Sequence, residues 1–330
     1  MHPQQASPQL EAFRKQLPFE LHPTNLTGAF TTPAPPDDMD PHKASSAALV
    51  KHGILWKRPQ RGDDPRLVRV WEQVFSRKWL AKDRIVPVLE PQKGKIHVLR
   101  ALKKTADTGY TSDNWAGGVM QGQWATALGF WHIPTVSKPP EPQGTEGGWN
   151  SSSWVGIDGF GSNDVLQAGI QQRVTSGGQA QYVAWYEWYA PPQAGSPGYV
   201  WQTNITNFPV NPGQQVYCSV QYINNKTAGQ LYFANETTGQ HFSITLAPPP
   251  GANFNGDSME WIMEAPDGGE PTASLPKFTP VQFTTALGCN ANASVVGNPQ
   301  TGDYINVVYG GKTLTAVTLA NDAVTVKFTG

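Results

Sequence analysis

Trp154-Val155-Gly156-Ile157-Asp158-Gly159 and Leu166-Gln167-Ala168-Gly169 are short segments in which apolar residues alternate with Trp, Asp or Gln. Successive side chains of a strand point to opposite faces. Val155 and Ile157 would therefore share one face, and Trp154 and Asp158 the other. From residue 114 onward short runs of this kind recur between turn residues, without a helical period. About a dozen strands in roughly 215 residues predict an all-β domain, a two-sheet antiparallel β-sandwich of the jelly-roll or concanavalin-like type.

The turn signals support this prediction. Gly310-Gly311 and Asn321-Asp322 are typical of tight hairpins, and Thr237-Thr238-Gly239 marks another turn. The candidate strands are 153–158, 164–172, 180–189, 214–223, 229–235, 240–246, 258–264, 278–285, 303–309, 312–319 and 322–328.

The first 110 residues differ from the rest. A polar stretch rich in Pro precedes one clear helix, predicted over 65–81, which Asp63 and Asp64 can cap and in which apolar residues recur at three-and-four spacing. Two short strands, 84–89 and 95–99, are predicted to follow across a Pro-Gln-Lys-Gly turn. The sequence thus predicts a small α+β N-terminal segment, residues 1–110, before a β-sandwich domain over 111–330.

Charge is divided between these two parts. Residues 1–110 hold 18 of the 24 Lys and Arg and 11 of the 25 Asp and Glu, whereas the remainder holds 6 and 14. The two parts can therefore attract one another, in a way that depends on pH and salt. The basic residues are scattered rather than clustered, which argues against nucleic acid as their partner.

Several functional classes lack support. Cys218 and Cys289 allow at most one disulfide and no zinc site of their own, and whether they pair is left open. There is no metal-binding, phosphate-loop or nucleophile-elbow motif, so no cofactor or metal is expected. No apolar stretch is long enough to cross a membrane, and the N-terminus lacks the apolar core of a signal peptide.

Strand alternation places an unusual set of side chains on one sheet face. If the apolar residues of each strand form the core, the opposite face presents Trp154, Asp158, Gln167, Trp185, Glu187, Tyr189, Glu260 and Glu264. Aromatic and acidic residues in this arrangement fit sugar binding, glycoside hydrolysis by paired carboxylates, or another hydrolase. The residues alone leave these alternatives open.

Five blocks in order carry a resemblance to a known family. They are Asn114-Trp115-Ala116-Gly117-Gly118, Trp154 to Gly159, Leu166 to Gly169, Ala184 to Tyr189 and Met259 to Glu264. Together they resemble the glutamic peptidases, or eqolisins, from about Asn114 to the end, and segments 235–240 and 279–284 do so as well. The resemblance implies a curved β-sandwich and an acid-acting endopeptidase, insensitive to pepstatin, that takes protein or peptide substrates.

The resemblance also implies roles for individual residues. Gln167 and Glu264 match the catalytic pair, while Trp154, Asp158, Trp185, Glu187, Tyr189 and Glu260 are expected to bind substrate. A carboxylate can activate water and a Gln amide can stabilise an oxyanion. Asp158, Glu187 and Glu260 are expected to act on the proton of Glu264 by charge repulsion. The segments after Tyr189 and after Glu264 match substrate-flanking loops. A carbohydrate-binding β-sandwich without catalysis is the alternative.

The basic N-terminal segment fits a removable prosegment, as in a zymogen, with Lys or Arg side chains paired with carboxylates of the active face. A permanent accessory region is the other interpretation. In either case the segment is expected to bind its own catalytic domain. The family is typically secreted, but no leader is visible, so the localisation stays open.

Overall fold

A computed structural model gives the architecture of the protein. The structure describes residues 8–55, 57–77, 80–105, 109–140, 148–191, 201–223, 225–266 and 275–330. Within these ranges the fold is mostly β, with three short α-helices near the N-terminus. The predicted fold class is confirmed.

The elements follow the chain in this order. The helices are α1 (Pro8–Gln16), α2 (Ser46–Lys51) and α3 (Pro65–Val74). The strands of the N-terminal part are β1 (His22–Pro23), β2 (Ala29–Thr31), β3 (Leu89–Pro91), β4 (Lys103–Lys104) and β5 (Gly109–Ser112). The strands that follow are β6 (Trp115–Gln121), β7 (Thr126–His132), β8 (Val136–Ser137), β9 (Trp149–Ile157), β10 (Val165–Val174), β11 (Ala180–Tyr189), β12 (Thr203–Ile205), β13 (Gln215–Ile223), β14 (Ala228–Asn235), β15 (His241–Leu246), β16 (Ser258–Glu264), β17 (Lys277–Phe278), β18 (Val281–Cys289), β19 (Val296–Gly297), β20 (Asp303–Tyr309), β21 (Lys312–Thr313), β22 (Thr315–Ala320) and β23 (Ala323–Phe328).

Two large sheets form the sandwich. Sheet 1 has the order β1-β2-β15-β14-β13-β7-β18-β23-β22, with β19 beside β18. Sheet 2 has the order β3-β12-β11-β10-β9-β16-β6-β20-β5-β4, with β21 beside β20. The central pairs are antiparallel, whereas β5 runs parallel to β20 at one edge of sheet 2.

Strand alternation divides the residues of sheet 2 as the sequence predicts. Val155 and Ile157 lie in the main core between the sheets, as do Trp261 and Met263. Trp154 belongs to a separate cluster on the outer side of sheet 2. The period of two therefore specifies which side chains stabilise the sandwich and which face away from its core.

Strands β6 and β7 are absent from the candidate strands, and in β6 two glycines obscure the strand pattern. Gly117 and Gly118 interrupt β6, although the backbone pairs with β16 and β20 throughout this region. Gly117 has a φ of 158°, and a Cβ there would lie 2.0 Å from the backbone oxygen of Trp261. Close approach of two strands, rather than a turn, is what requires glycine at this position.

The helix predicted in the N-terminal segment is shorter than expected, and little of the two predicted strands is present. Helix α3 ends at Val74 instead of residue 81, with Asp64 as its N-cap accepting from the amide of Arg66 at 2.8 Å. The strand predicted over 84–89 is limited to Leu89–Pro91, and 95–99 is not a strand. That stretch crosses the outer face of sheet 2, so its backbone does not enter a ladder.

The described part of residues 1–110 is built into both sheets. β1 and β2 extend sheet 1 beyond β15, and α3 packs its Val70, Trp71 and Val74 on the outer face of sheet 1. β3 and β4 lie at opposite ends of sheet 2 with eight strands between them. Residues 92–102, which we call the strap, join those two ends across the outer face. The predicted domain boundary at residue 110 falls within β5.

Helices in the described part of the chain are all too short or too polar to span a membrane. Across the described ranges, no cluster of three or more His, Cys, Asp or Glu side chains is arranged to hold a metal ion. Cys218 and Cys289 are both free thiols.

Candidate active site

Glu264 lies at the end of β16, opposite Ser152 of β9 and Trp115 of β6. Its side chain is fully buried and receives three hydrogen bonds. Trp154 Nε1 donates to Oε2 at 2.9 Å, and Asn114 Nδ2 donates to Oε1 at 3.1 Å. The third partner is Nδ1 of His97, 2.7 Å from Oε2. These contacts fix the position of the carboxylate from three sides.

Gln167 and Glu187 form a directly opposed pair in the β10–β11 ladder. Gln167 Nε2 is 3.3 Å from Glu187 Oε1, and both side chains are fully buried. The nearby Gly169 allows the strands to fit, since a Cβ there would lie 2.4 Å from the Cβ of Trp154. The glycine of the Leu-Gln-x-Gly block thus makes room for the indole beside Glu264.

His97 of the strap connects these groups. Its backbone oxygen accepts from Gln167 Nε2 at 2.7 Å, and its amide donates to Glu187 Oε1 at 3.0 Å. Its imidazole contacts Glu264 and also lies 2.9 Å from Oε1 of Gln202 through Nε2. The ring stacks on Trp185, with centroids 3.9 Å apart and planes at 12°. One residue of the N-terminal segment therefore contacts both members of the predicted catalytic pair.

The strap is attached on both sides of His97. On one side Gln202 exchanges backbone hydrogen bonds with Gln92 and Lys95, at 2.8 and 3.0 Å. On the other side Asn114 donates to the carbonyl of Val98 at 2.8 Å and accepts from the amide of Arg100 at 3.0 Å. His97 is thus seated by backbone contacts as well as by its ring.

Burial and charge alter two ionisable groups here. Burial in the site raises the pKa of Glu187 to about 8, although the charge and amide of His97 oppose this shift. Burial alone would lower the pKa of His97, but attraction to Glu264 and the hydrogen bond between them outweigh it and raise that pKa. The site therefore favours a neutral Glu187 and a protonated His97 beside Glu264.

Asp158 and Glu260 lie in a different cluster. Asp158 follows β9 with a φ of 69°, and its carboxylate accepts from the hydroxyl of Tyr222 and the amides of Gly256 and Asp257. Burial raises its pKa to about 6 and raises that of Glu260 well above its usual range. The charges that act on Glu260 are those of Asp158 and Asp257, and the charge of Glu264 acts on Glu187. Of the three carboxylates expected to influence Glu264, Glu187 is the one placed beside it.

Tyr189 is the last of the predicted site residues. Tyr189 is half-buried and lines a cavity together with Val98, Leu99 and Phe160. Of the two segments that match substrate-flanking loops, residues 192–200 and 267–274 lie outside the described residues.

Three residues at the site were not predicted from the sequence: His97, Asn114 and Gln202. Asn114 opens the first of the five blocks, so its position there is a signal that could have suggested it. Gln202 donates through Nε2 to Oε1 of Gln171 at 2.9 Å. His97 has no signal in a single sequence. It also replaces the Lys or Arg predicted to pair with the active face, since His97 is the basic residue paired with Glu264 in the described structure.

Comparison with known proteins agrees with this architecture. The profile of the Peptidase A4 family matches residues 113–328. Aspergillopepsin-2 from Aspergillus niger is 29% identical over 246 residues, which cover 69% of this chain and 81% of that protein. Scytalidopepsin B from Scytalidium lignicola is 27% identical over 177 residues, covering 53% of this chain and 60% of its own length.

A solved structure supports the fold. Scytalido-glutamic peptidase, crystallised with a peptide-based transition-state analogue, aligns with a TM-score of 0.52 at 22% identity, over 66% of this chain and 98% of that one. The shared fold and the profile match, which spans well over half of the chain, lead to one assignment. The chain belongs to the Peptidase A4 family, the glutamic peptidases or eqolisins, and is a peptide-bond hydrolase.

Proposed function

We propose that this protein is an endopeptidase in which Glu264 and Gln167 form the catalytic pair. The observation that carries the proposal is the position of His97 of the strap, which contacts both of these side chains. The carbonyl oxygen of His97 lies 2.7 Å from Gln167 Nε2, and Glu264 Oε2 lies 2.7 Å from Nδ1 of the same residue. A substrate carbonyl in this place would have an amide donor at its oxygen and a carboxylate within reach of an attacking water.

The reaction then needs no covalent enzyme intermediate. Glu264 takes a proton from a water whose oxygen bonds to the carbonyl carbon, and Gln167 donates to the oxyanion that forms. The C–N bond breaks as Glu264 returns the proton to the leaving nitrogen. Asn114 and Trp154 keep the carboxylate in position through their two hydrogen bonds. A Gln amide does not titrate, so this donor works in acid.

Glu187 suits an acid enzyme in the same way. With the strap in place, burial raises its pKa to about 8, so the carboxyl is neutral at acid pH and puts no negative charge beside Gln167. We propose Trp154, Trp185, Glu187 and Tyr189 as the nearest substrate-binding residues, with Glu260 further along the face and Asp158 in the neighbouring cluster beside Tyr222. No catalytic aspartate pair is part of this mechanism, so pepstatin should not inhibit it.

A peptide as the substrate has further support. One solved relative, the eqolisin SCP-B, is described in a complex with the tripeptide Ala-Ile-His, at 20% identity and a TM-score of 0.52. In this chain His97 of the strap occupies the proposed site. The carbohydrate-binding alternative is less favoured, because the indole nitrogens of Trp154 and Trp185 already donate to Glu264 and Ser152.

The test is digestion of denatured casein at acid pH with pepstatin present. Gln167→Ala should lower kcat about 100- to 1000-fold, as for other lost oxyanion donors, and Glu264→Gln should remove activity because the base is lost. Glu236→Gln, the same change on sheet 1 away from the site, is the matched control and should keep activity. Unchanged digestion by both site variants would refute the pair.

We also propose that residues 1 to about 110 are a prosegment. The strap covers the site, and its release would expose Glu264 and Gln167. Purified protein is incubated at acid pH and new N-termini are sequenced. Cleavage between Leu99 and Asn114 together with the appearance of activity is expected. Activity in a chain that stays intact would instead support a permanent accessory region.

A further inference from the structure

Most contacts of the strap hold its backbone on sheet 2. His97, by contrast, contacts both members of the proposed catalytic pair. The carbonyl of His97 takes the place proposed above for the substrate carbonyl, at Gln167. The imidazole of the same residue takes the place of the attacking water, since its Nδ1 lies 2.7 Å from Glu264 Oε2. The peptide bond between residues 97 and 98 is therefore presented like a substrate while the water is excluded.

We propose that the strap is a built-in pseudosubstrate and that the imidazole of His97 protects the 97–98 bond by standing where the water must enter. The proposal rests on the catalytic pair proposed above. It adds the reason why the intact chain is inactive, and it names 97–98 as the peptide bond that the pair would cut if water could enter. His97, Gln167 and Glu264 are all fully buried. A water that cannot reach Glu264 cannot be activated, so the bond survives although its carbonyl is held correctly.

The surroundings of His97 show why its ring stays in place. It is stacked on Trp185 and held at both nitrogens, by Glu264 and by Gln202. The bonds from Gln202 and Asn114 to the strap backbone hold the chain on each side, so the ring cannot leave without the strap. The ring and the backbone thus restrain each other.

The first experiment replaces the ring with a methyl group. In His97→Ala a water can occupy the vacated space beside Glu264 and attack the carbonyl carbon of residue 97. Its proton passes through Glu264 to the nitrogen of Val98, leaving a carboxylate on residue 97 and a new amino terminus at Val98. We expect cleavage at 97–98 at least tenfold faster than in the wild type, detected by mass spectrometry of the full-length protein.

Two further variants test whether cleavage at 97–98 needs Glu264 and whether it needs the space left by the ring of His97. His97→Ala with Glu264→Gln should stay uncut, because the base is missing. His97→Phe fills the space and stacks on Trp185 without the hydrogen bonds, so it should also stay uncut at 97–98. Cleavage of the Phe variant as fast as the Ala variant would overturn the exclusion of water as the cause of latency.

A measurement with peptides avoids any effect on folding. The strap peptide, Gln92 to Leu102, is added to a wild-type preparation that digests casein. It should raise KM without changing kcat, and the same peptide with Ala at position 97 should be cut after that position. If both peptides are cut alike, or neither inhibits, the pseudosubstrate proposal is wrong.

The outcomes distinguish this proposal from the proposed function. Casein digestion that depends on Glu264, together with a His97→Ala protein that remains latent and uncut, would overturn the role of His97 and leave the catalytic pair intact. Full casein digestion by Glu264→Gln would overturn both.

Discussion

The buried carboxyl of Glu187 predicts that the stability of the folded protein falls as the pH rises. Its pKa is about 8 in the folded state, against 4.5 for an unperturbed Glu, because burial penalises the charged form. Between these values the folded chain holds a proton that the unfolded chain has lost. A folded state that binds more protons loses stability with increasing pH.

The size of this effect follows from the two pKa values. Between pH 5 and pH 8 the difference approaches one proton, and each pH unit then costs about 1.4 kcal/mol, so up to about 4 kcal/mol is lost over the interval. Glu187→Gln keeps the shape of the side chain but cannot ionise. Its free energy of unfolding, measured by urea denaturation at pH 5, 6.5 and 8, should therefore fall less steeply with pH than that of the wild type.

The comparison with Glu187→Gln isolates this group from others that titrate in the same range. The raised pKa of His97 acts in the same direction above pH 6.5, whereas the pKa of His241, lowered by burial to about 4, acts in the opposite direction below it. Glu72→Gln, at an exposed position of α3, is the matched control and should show the wild-type slope. If Glu187→Gln and the wild type have the same slope, Glu187 is ionised in the fold and the reasoning is wrong.

Two further predictions test the support of the site and the attachment of the N-terminal segment. Asn114→Ala, measured in the activated protein, should lower kcat about 10- to 150-fold with little change in KM, because a donor of one hydrogen bond to Glu264, worth about 1.5–3 kcal/mol for a charged partner, is lost. Asn292→Ala, in an exposed loop, is the control and should leave kcat unchanged. A rise in KM without a fall in kcat for Asn114→Ala would show that Asn114 binds substrate instead. Trp71→Ala should lower the free energy of unfolding by about 3–5 kcal/mol, because the ring is buried between α3 and sheet 1. Glu72→Ala beside it should have little effect, and an equally small effect of Trp71→Ala would mean that α3 is not part of the cooperative fold.

The side-chain period of the strands was sufficient to predict which face of sheet 2 carries the site. Val155 is in the core and Trp154 is on the outer face, as alternation requires. The same rule failed at Asp158, because the backbone turns into the left-handed region there and the strand ends one residue earlier. Alternation describes a continuous strand and says nothing about a side chain beyond its last residue.

His97 could not be predicted for a different reason. Its partner Glu264 is 167 residues away along the chain, and nothing in the local sequence marks the contact. The excess of basic residues indicated that the N-terminal segment attracts the catalytic domain. Charge is a property of the whole segment, however, so it could not show that a His rather than a Lys or Arg contacts Glu264.

The way the N-terminal segment joins both sheets has a consequence for how the chain folds. β2 pairs with residues 245–246, β3 with 203–205 and β5 with 304–307. During synthesis the first 110 residues emerge long before any of these partners, and pairings between distant parts of a chain form slowly. The strap can therefore be anchored at both ends only after residue 307 has left the ribosome. His97 has its last partner in the site once Glu264 has emerged, whereas the C-terminal end of the strap is anchored through β5 only when β20 is complete.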